Sequence, residues 1–159
     1  MVNLEHKFTL QSLTITEKLA KSIARVIIPG FVVSLNGNLG AGKTTLVRGI
    51  LHSMGVSGNV KSPTFTLVEP YTINNLNIFH FDLYRFADPE EWFELGFDEY
   101  FTYNSICFIE WAERASGLIP HIDWTINLTM RGDIHNCQII ANTGKGRSCL
   151  QALMAECVD

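Results

Sequence analysis

At 159 residues the chain carries one domain's worth of sequence, enough to bury a single sizeable core. It is 47% hydrophobic and 18% charged, an ordinary soluble composition with slightly few charges. A net charge of −4 and a pI near 5.7 exclude a surface that grips nucleic-acid backbone by bulk electrostatics.

Glu5, His6 and Lys7 interrupt any apolar start, so no signal peptide is expected. No apolar stretch approaches the ~18 residues of a membrane span. The expectation is a cytoplasmic protein that touches no membrane. Cys107, Cys137, Cys149 and Cys157 form no C-x-x-C pair and are expected to be buried, reduced thiols. The five histidines offer no metal-ligand spacing.

In chain order, a short strand is expected over 7–11. Thr14-Ile15-Thr16-Glu17 has capping-box spacing and should start a helix carrying Ile15, Leu19, Ile23, Val26 and Ile27 on one face. Pro29-Gly30 ends it. Phe31 to Leu35 then reads as a buried strand running into Gly37-Asn38-Leu39-Gly40-Ala41-Gly42-Lys43-Thr44-Thr45, which spells G-x-x-x-x-G-K-[ST]. A helix from Thr45 to Met54 leaves it. Strand, glycine loop and helix in this order form a phosphate-binding P-loop. The glycines let backbone N–H groups curl around a polyphosphate, and the helix N-terminus adds a positive field. Lys43 is placed to reach the β- and γ-phosphates, and the Thr44 hydroxyl to hold Mg²⁺.

Beyond a loop from Gly55 to Pro63, Thr64 to Tyr71 reads as an edge strand, Asn74-Asn75 as a turn and Leu76 to Tyr84 as a returning strand. A hairpin thus follows the P-loop helix with no second crossover helix before it. Asp88-Pro89-Glu90-Glu91 starts a helix that closes at Gly96, and a further turn spans Asp98 to Phe101. Ser105 to Glu110 is a buried strand ending in a carboxylate. Asp123 to Thr129 and Cys137 to Asn142 pair across a turn at Arg131-Gly132-Asp133. Ser148 can cap a last helix. The expected fold is α/β: a P-loop NTPase, a three-layer sandwich with a mainly parallel central sheet plus antiparallel hairpins. Residues 1–159 form a single domain.

A P-loop enzyme needs a second metal-orienting acid, usually at the C-terminal end of an apolar strand. Glu110 and Asp82 both end such strands, and both could face the P-loop. Glu110 is assigned to the Mg²⁺ shell, directly or through water, and Asp82 to water activation or outer metal contact. The alternatives are carboxylates solvated at strand ends or paired locally with Arg85 or Arg114. Thr64, in Ser62-Pro63-Thr64 beyond the P-loop helix, is the candidate to sense the γ-phosphate. Lys61 and Arg85 could add positive charge but read better as solvated cations. Trp111 either flanks the site or packs in the core. His80, on an apolar strand, reads as a satisfied core histidine rather than a catalyst.

The P-loop together with Ser62-Pro63-Thr64-Phe65-Thr66-Leu67-Val68, His80-Phe81-Asp82-Leu83-Tyr84-Arg85 and Ile109-Glu110-Trp111 resembles the TsaE (YjeE) family of bacterial ATPases of tRNA threonylcarbamoyladenosine (t6A) synthesis. The likeness is strong over residues 10 to 112 and weaker beyond. It implies ATP/ADP and Mg²⁺ as cofactors and a partner pair, TsaB with TsaD. TsaD places the threonylcarbamoyl group on adenosine 37, and tRNA is met only indirectly through that complex. The resemblance implies that Lys43 and Thr44 hold phosphate and metal, that Glu110 is the metal-side acid, that Asp82 supports hydrolysis and that Thr64 lies in a switch-like loop. It also points to Thr14 and Arg131 as the nearest matches to two further nucleotide contacts. Gly37-Asn38 departs from the family's Gly-Asp, a position that can act through its backbone N–H.

Two other readings fit parts of the chain. The loop also satisfies G-x-x-G-x-G-K-[ST], as in small-molecule kinases, but the hairpin after the first P-loop helix and the scattered arginines argue against one. The other is a nucleotide-gated binding module with little turnover.

Overall fold

A computed structural model describes residues 3–38 and 41–157. Its centre is a seven-stranded sheet in the order β1-β7-β6-β2-β5-β4-β3. The strands are β1 (Glu5–Leu10), β2 (Val32–Asn36), β3 (Val68–Ile73), β4 (Leu76–Asp82), β5 (Ser105–Glu110), β6 (Trp124–Arg131) and β7 (Ile134–Ala141). β6, β2, β5 and β4 run parallel side by side. Hairpin partners close both flanks antiparallel: β3 on β4, and β7 on β6 with β1 beyond it.

Among the described residues four α-helices accompany the sheet: α1 (Leu13–Val26), α2 (Lys43–Met54), α3 (Pro89–Glu94) and α4 (Gly144–Glu156). Apolar side chains of α1, α2 and α4 pack with Val33, Leu35, Ile78, Phe108 and Ile126 in one core. On the opposite face Val32, Phe81, Cys107 and Ile109 pack with Trp92 of α3 and Phe97. The central strands are therefore apolar on both faces, which is why they read as continuous hydrophobic runs rather than alternating ones.

Several boundaries differ from expectation, each for a local reason. Ser12, not Thr14, caps α1. Ser12 is extended (φ −154°, ψ 164°) and its hydroxyl accepts the Ile15 N–H at 3.2 Å, because the chain turns at once after β1. Thr143 likewise caps α4 in place of Ser148, accepting the Gly146 N–H at 2.9 Å while donating to Asp123 at 2.6 Å. The edge strand β3 starts at Val68 rather than Thr64. Residues 64–67 instead make a turn closed by Leu67 N–H to Pro63 C=O (2.8 Å), with Leu67 at φ +68°. The Asn74-Asn75 turn stands as read, both residues at positive φ (49° and 67°), the type I′ signature of a two-residue hairpin. α3 carries its expected Asp88 cap with proline at the start.

Candidate phosphate and metal site

β2 delivers the P-loop to the C-terminal edge of the sheet. Gly37, just after β2, passes so close to β6 that a Cβ there would lie 2.8 Å from the Leu128 carbonyl oxygen. Gly42 is the N-cap of α2 at φ +102°, a conformation suited to glycine, and no side chain caps the helix. The first N–H groups of α2 are thus turned to the loop, the arrangement that favours an anion. Leu39 and Gly40, both expected phosphate contacts, lie outside the described residues. From the other hairpin, His135 of β7 reaches across to donate from Nδ1 to the Ala41 carbonyl at 3.1 Å.

The two acids arrive by sheet geometry. Asp82 and Glu110 are register partners at the ends of parallel β4 and β5, and Leu35 of β2 pairs with Glu110 on the other side. Period-two alternation puts Ile78, His80 and Asp82 on one face of β4 and Ile106, Phe108 and Glu110 on one face of β5. Ile78, Ile106 and Phe108 belong to the core beneath α2, so both carboxylates rise toward the start of that helix.

Lys43, Thr44, Thr64, Asp82, Glu110 and Trp111, with Gly42, Thr45 and Ser62, line one cavity of about 270 Å³. Lys43 and Glu110 are both buried. The Lys43 Nζ stands 3.9 Å from Glu110 Oε1, ion-pair distance but too long for a hydrogen bond. The same ammonium lies 5.1 Å from the centroid of the Trp111 ring. Trp111 holds φ +60°, ψ 42°, a left-handed conformation rare for a bulky residue, and this turns the chain sharply just after Glu110. Asp82 Oδ1 accepts the Tyr84 N–H at 3.0 Å, and the Asp82 N–H donates to Leu67 C=O at 2.9 Å. The Ser62 and Thr64 hydroxyls share a hydrogen bond of 2.8 Å. The loop that carries Thr64 is thereby tied to the backbone of Asp82.

Neither Asp82 nor Glu110 pairs with an arginine among the described residues. Arg85 lies over the Phe65 ring at 4.5 Å, and Arg114 over Tyr84 at 5.6 Å. Lys61 is exposed. Thr14 is an exposed residue in the first turn of α1; its neighbours Leu13 and Thr16, rather than Thr14, line a 250 Å³ cavity with Ala41, Thr45 and His135 on the other side of the P-loop. Gly37 and Asn38 line a third, 460 Å³ cavity that shares Lys43 and Trp111 with the first. Arg131 ends β6 and lines a separate cavity with Lys7 on the outer sheet face.

The oxygen donors suit a hard divalent cation. Thr44, Thr45, Ser62 and Thr64 bring hydroxyls, and Asp82 and Glu110 carboxylates, to one cavity beside a lysine, and Mg²⁺ is commonly held by one or two carboxylates plus substrate phosphates. No group of three His, Cys, Asp or Glu residues forms a self-sufficient metal site among the described residues. Cys107, three residues before Glu110 but packed in the core on the opposite sheet face, is no nucleophile, since burial pushes its thiol up to about 12.

Two residues of this constellation escaped the sequence. His80 is a core residue, but it is not a fully satisfied one: Nε2 lies 2.7 Å from Glu110 Oε2, while Nδ1 has no partner among the described residues. Its i, i+2 spacing from Asp82 put it on the acidic face and was a usable signal. His135 had none, because its contact with Ala41 depends on the register of β7 with β6.

The family model described as "Threonylcarbamoyl adenosine biosynthesis protein TsaE" matches residues 10–138. A Haemophilus influenzae protein named tRNA threonylcarbamoyladenosine biosynthesis protein TsaE is 51% identical over 121 residues, 76% of this chain and 77% of its own. The Bacillus subtilis protein of that name is 39% identical over 118 residues, 74% of this chain and 73% of its own. The crystal structure of Bacillus subtilis YdiB superposes with a TM-score of 0.84 at 27% identity, covering 98% of both chains. That structure carries the same P-loop-type α/β sheet, and with the family match extending over most of its length, the chain belongs to the TsaE family.

Proposed function

We propose that this chain is an Mg²⁺-dependent ATPase of t6A biosynthesis, working as a single cytoplasmic domain with the TsaB–TsaD pair and not transferring the threonylcarbamoyl group itself. The observation that carries this reading is the convergence of Lys43, Thr44, Asp82 and Glu110 on one cavity at the C-terminal ends of β2, β4 and β5. A phosphate site alone would need only the glycine loop and the lysine. Two buried acids beside it suit a site that also handles a cation and a water.

In this reading the N–H groups opening α2 and the Lys43 ammonium bind the β- and γ-phosphates of ATP. The Thr44 hydroxyl and the Glu110 carboxylate hold Mg²⁺. Magnesium, when bound, neutralises charge on the β- and γ-phosphate oxygens. Asp82 orients the attacking water, or supports the metal shell from outside. Thr64 reports the presence of the γ-phosphate to the loop over 62–67, whose Leu67 carbonyl holds the Asp82 N–H. The acidic overall charge favours a protein recipient for this switch over direct tRNA contact.

The test is ATP hydrolysis by the purified chain, measured as phosphate release with and without TsaB and TsaD. Strong stimulation by the pair is expected. Nucleotide binding without turnover in either condition would leave a nucleotide-gated binding module, and phosphate arriving on an added metabolite instead of in water would make it a kinase.

A further inference from the structure

We propose that His80 is a positioning residue for Glu110: it pins one carboxylate oxygen from behind so that the other faces Lys43 and the cavity. The kinetic consequence rests on the ATPase reading above; the geometry does not. His80 is fully buried, and its Nε2 is 2.7 Å from Glu110 Oε2, while Oε1 of the same carboxylate is the atom nearest Lys43 Nζ, at 3.9 Å.

The donor can be deduced. An ionised carboxylate offers only acceptors, so the imidazole must carry its proton on Nε2. Nδ1 finds no partner among the described residues. A buried polar atom left unsatisfied costs stability, and a phenylalanine or leucine would suit the apolar face shared with Ile78 and Phe108 better. What the imidazole adds at this position is the bond to Glu110.

That bond matters because a glutamate at a strand end has rotamer freedom. Released from His80, the carboxylate could close the 3.9 Å gap to Lys43 and hydrogen-bond it directly. This would neutralise the phosphate-binding cation and turn Oε1 away from the metal position. Supporting residues of this kind, behind a metal-side carboxylate, commonly change metal affinity or activity by ~10–100-fold when removed.

Two measurements test the proposal. The ¹⁵N resonances of the His80 imidazole in the nucleotide-free protein should show a protonated Nε2, and should move in Glu110→Ala. Calorimetric ADP titrations with Mg²⁺ and with EDTA should show His80→Phe losing about 10-fold of the Mg²⁺-dependent affinity while binding in EDTA stays within about 2-fold. His80→Gln, whose amide can donate from a similar position, should recover most of the loss, and phosphate release with TsaB–TsaD should follow the same order. An unprotonated Nε2, His80→Phe with unchanged Mg²⁺ dependence, or His80→Gln no better than His80→Phe would each overturn the proposal. If the wild-type chain bound no ADP, the phosphate-site reading would fall, while the resonance measurement, made without nucleotide, would still decide the role of His80. If His80→Phe did not fold, that measurement together with His80→Gln would decide it.

Discussion

Asp82 and Glu110 face each other across a parallel strand pair in direct register, so the chain ends two apolar strands with carboxylates at the same level of the sheet. Their roles separate by what each already holds. Glu110 lies between His80 and Lys43, whereas Asp82 takes the Tyr84 N–H and is linked through its own N–H to the loop that carries Thr64. The first arrangement suits a fixed ligand, and the second suits a group that moves with the loop. Glu110→Ala is therefore expected to keep nucleotide affinity within about 10-fold and to lose Mg²⁺-dependent hydrolysis by about 100-fold or more, the scale of removing a charge-stabilising group. Full Mg²⁺-dependent phosphate release in Glu110→Ala would move the metal role to Asp82.

Lys43→Ala should act on binding itself. Its ammonium makes no hydrogen bond within the described chain, being 3.9 Å from Glu110 and stacked over Trp111 at 5.1 Å, so its donors are available to a phosphate. Losing charged hydrogen bonds of about 1.5–3 kcal/mol predicts a ~10–100-fold weaker ADP affinity by calorimetry. Unchanged affinity would place the phosphates elsewhere.

Much of this site was legible before the fold. The P-loop, the hairpin after α2 and the two strand-end acids all follow from local pattern: glycine spacing, a run of alternating residues, an apolar strand closed by a carboxylate. What was not legible came from contacts between distant segments. Thr14 and Glu17 have capping-box spacing, yet Ser12 takes the cap because β1 ends at Leu10 and the chain must turn there. Thr64 looked like the first residue of a strand because the β-favouring run Thr64 to Val68 hides a turn that needs Leu67 at positive φ. Asp123 seemed no more than a strand start. It is buried and bonds the Val32 N–H and the Thr143 hydroxyl, so it joins β2 to the cap of α4, a link that no local pattern announces.

Thr64→Ala tests whether that turn is a sensor. The hydroxyl bonds Ser62, and Thr64 lines the cavity that holds Lys43 and Glu110. If Thr64 acts only when a γ-phosphate is present, the substitution should lower turnover about 10-fold with ADP affinity within about 3-fold. Equal losses in ADP and ATP affinity would make it an ordinary binding residue.

Gly146→Ala should weaken the fold far from the site. A Cβ at Gly146 would collide with the Asp123 carbonyl oxygen, a backbone atom that cannot swing aside, and Gly146 itself accepts the Trp124 indole N–H at 2.8 Å. Overpacking at such a contact costs about 3 kcal/mol, which for a domain of this size lowers Tm by roughly 6–12 °C in a thermal melt. An unchanged melt would show that α4 can shift away from β6 freely.

The buried thiols predict an alkaline limit to stability. Burial pushes Cys107 and Cys137 up to about 12 from 9.0, so between these values the folded chain keeps protons that the unfolded chain has lost. The folded state binds more protons in that window, and stability must fall as pH rises through it, by up to ~1.4 kcal/mol per pH unit for each thiol. Below pH 9 the contribution is fully present and pH has no effect through these groups. Urea unfolding at pH 8, 9 and 10 should therefore show a midpoint that is level and then declines, while Cys107→Ser/Cys137→Ser, compared with itself across the same range, declines less. In the folded wild-type protein at pH 8, iodoacetamide should reach Cys157, which is half-buried at the end of α4, well before Cys107 or Cys137. Rapid alkylation of Cys107 under native conditions would mean that β5, and with it Glu110, opens readily to solvent.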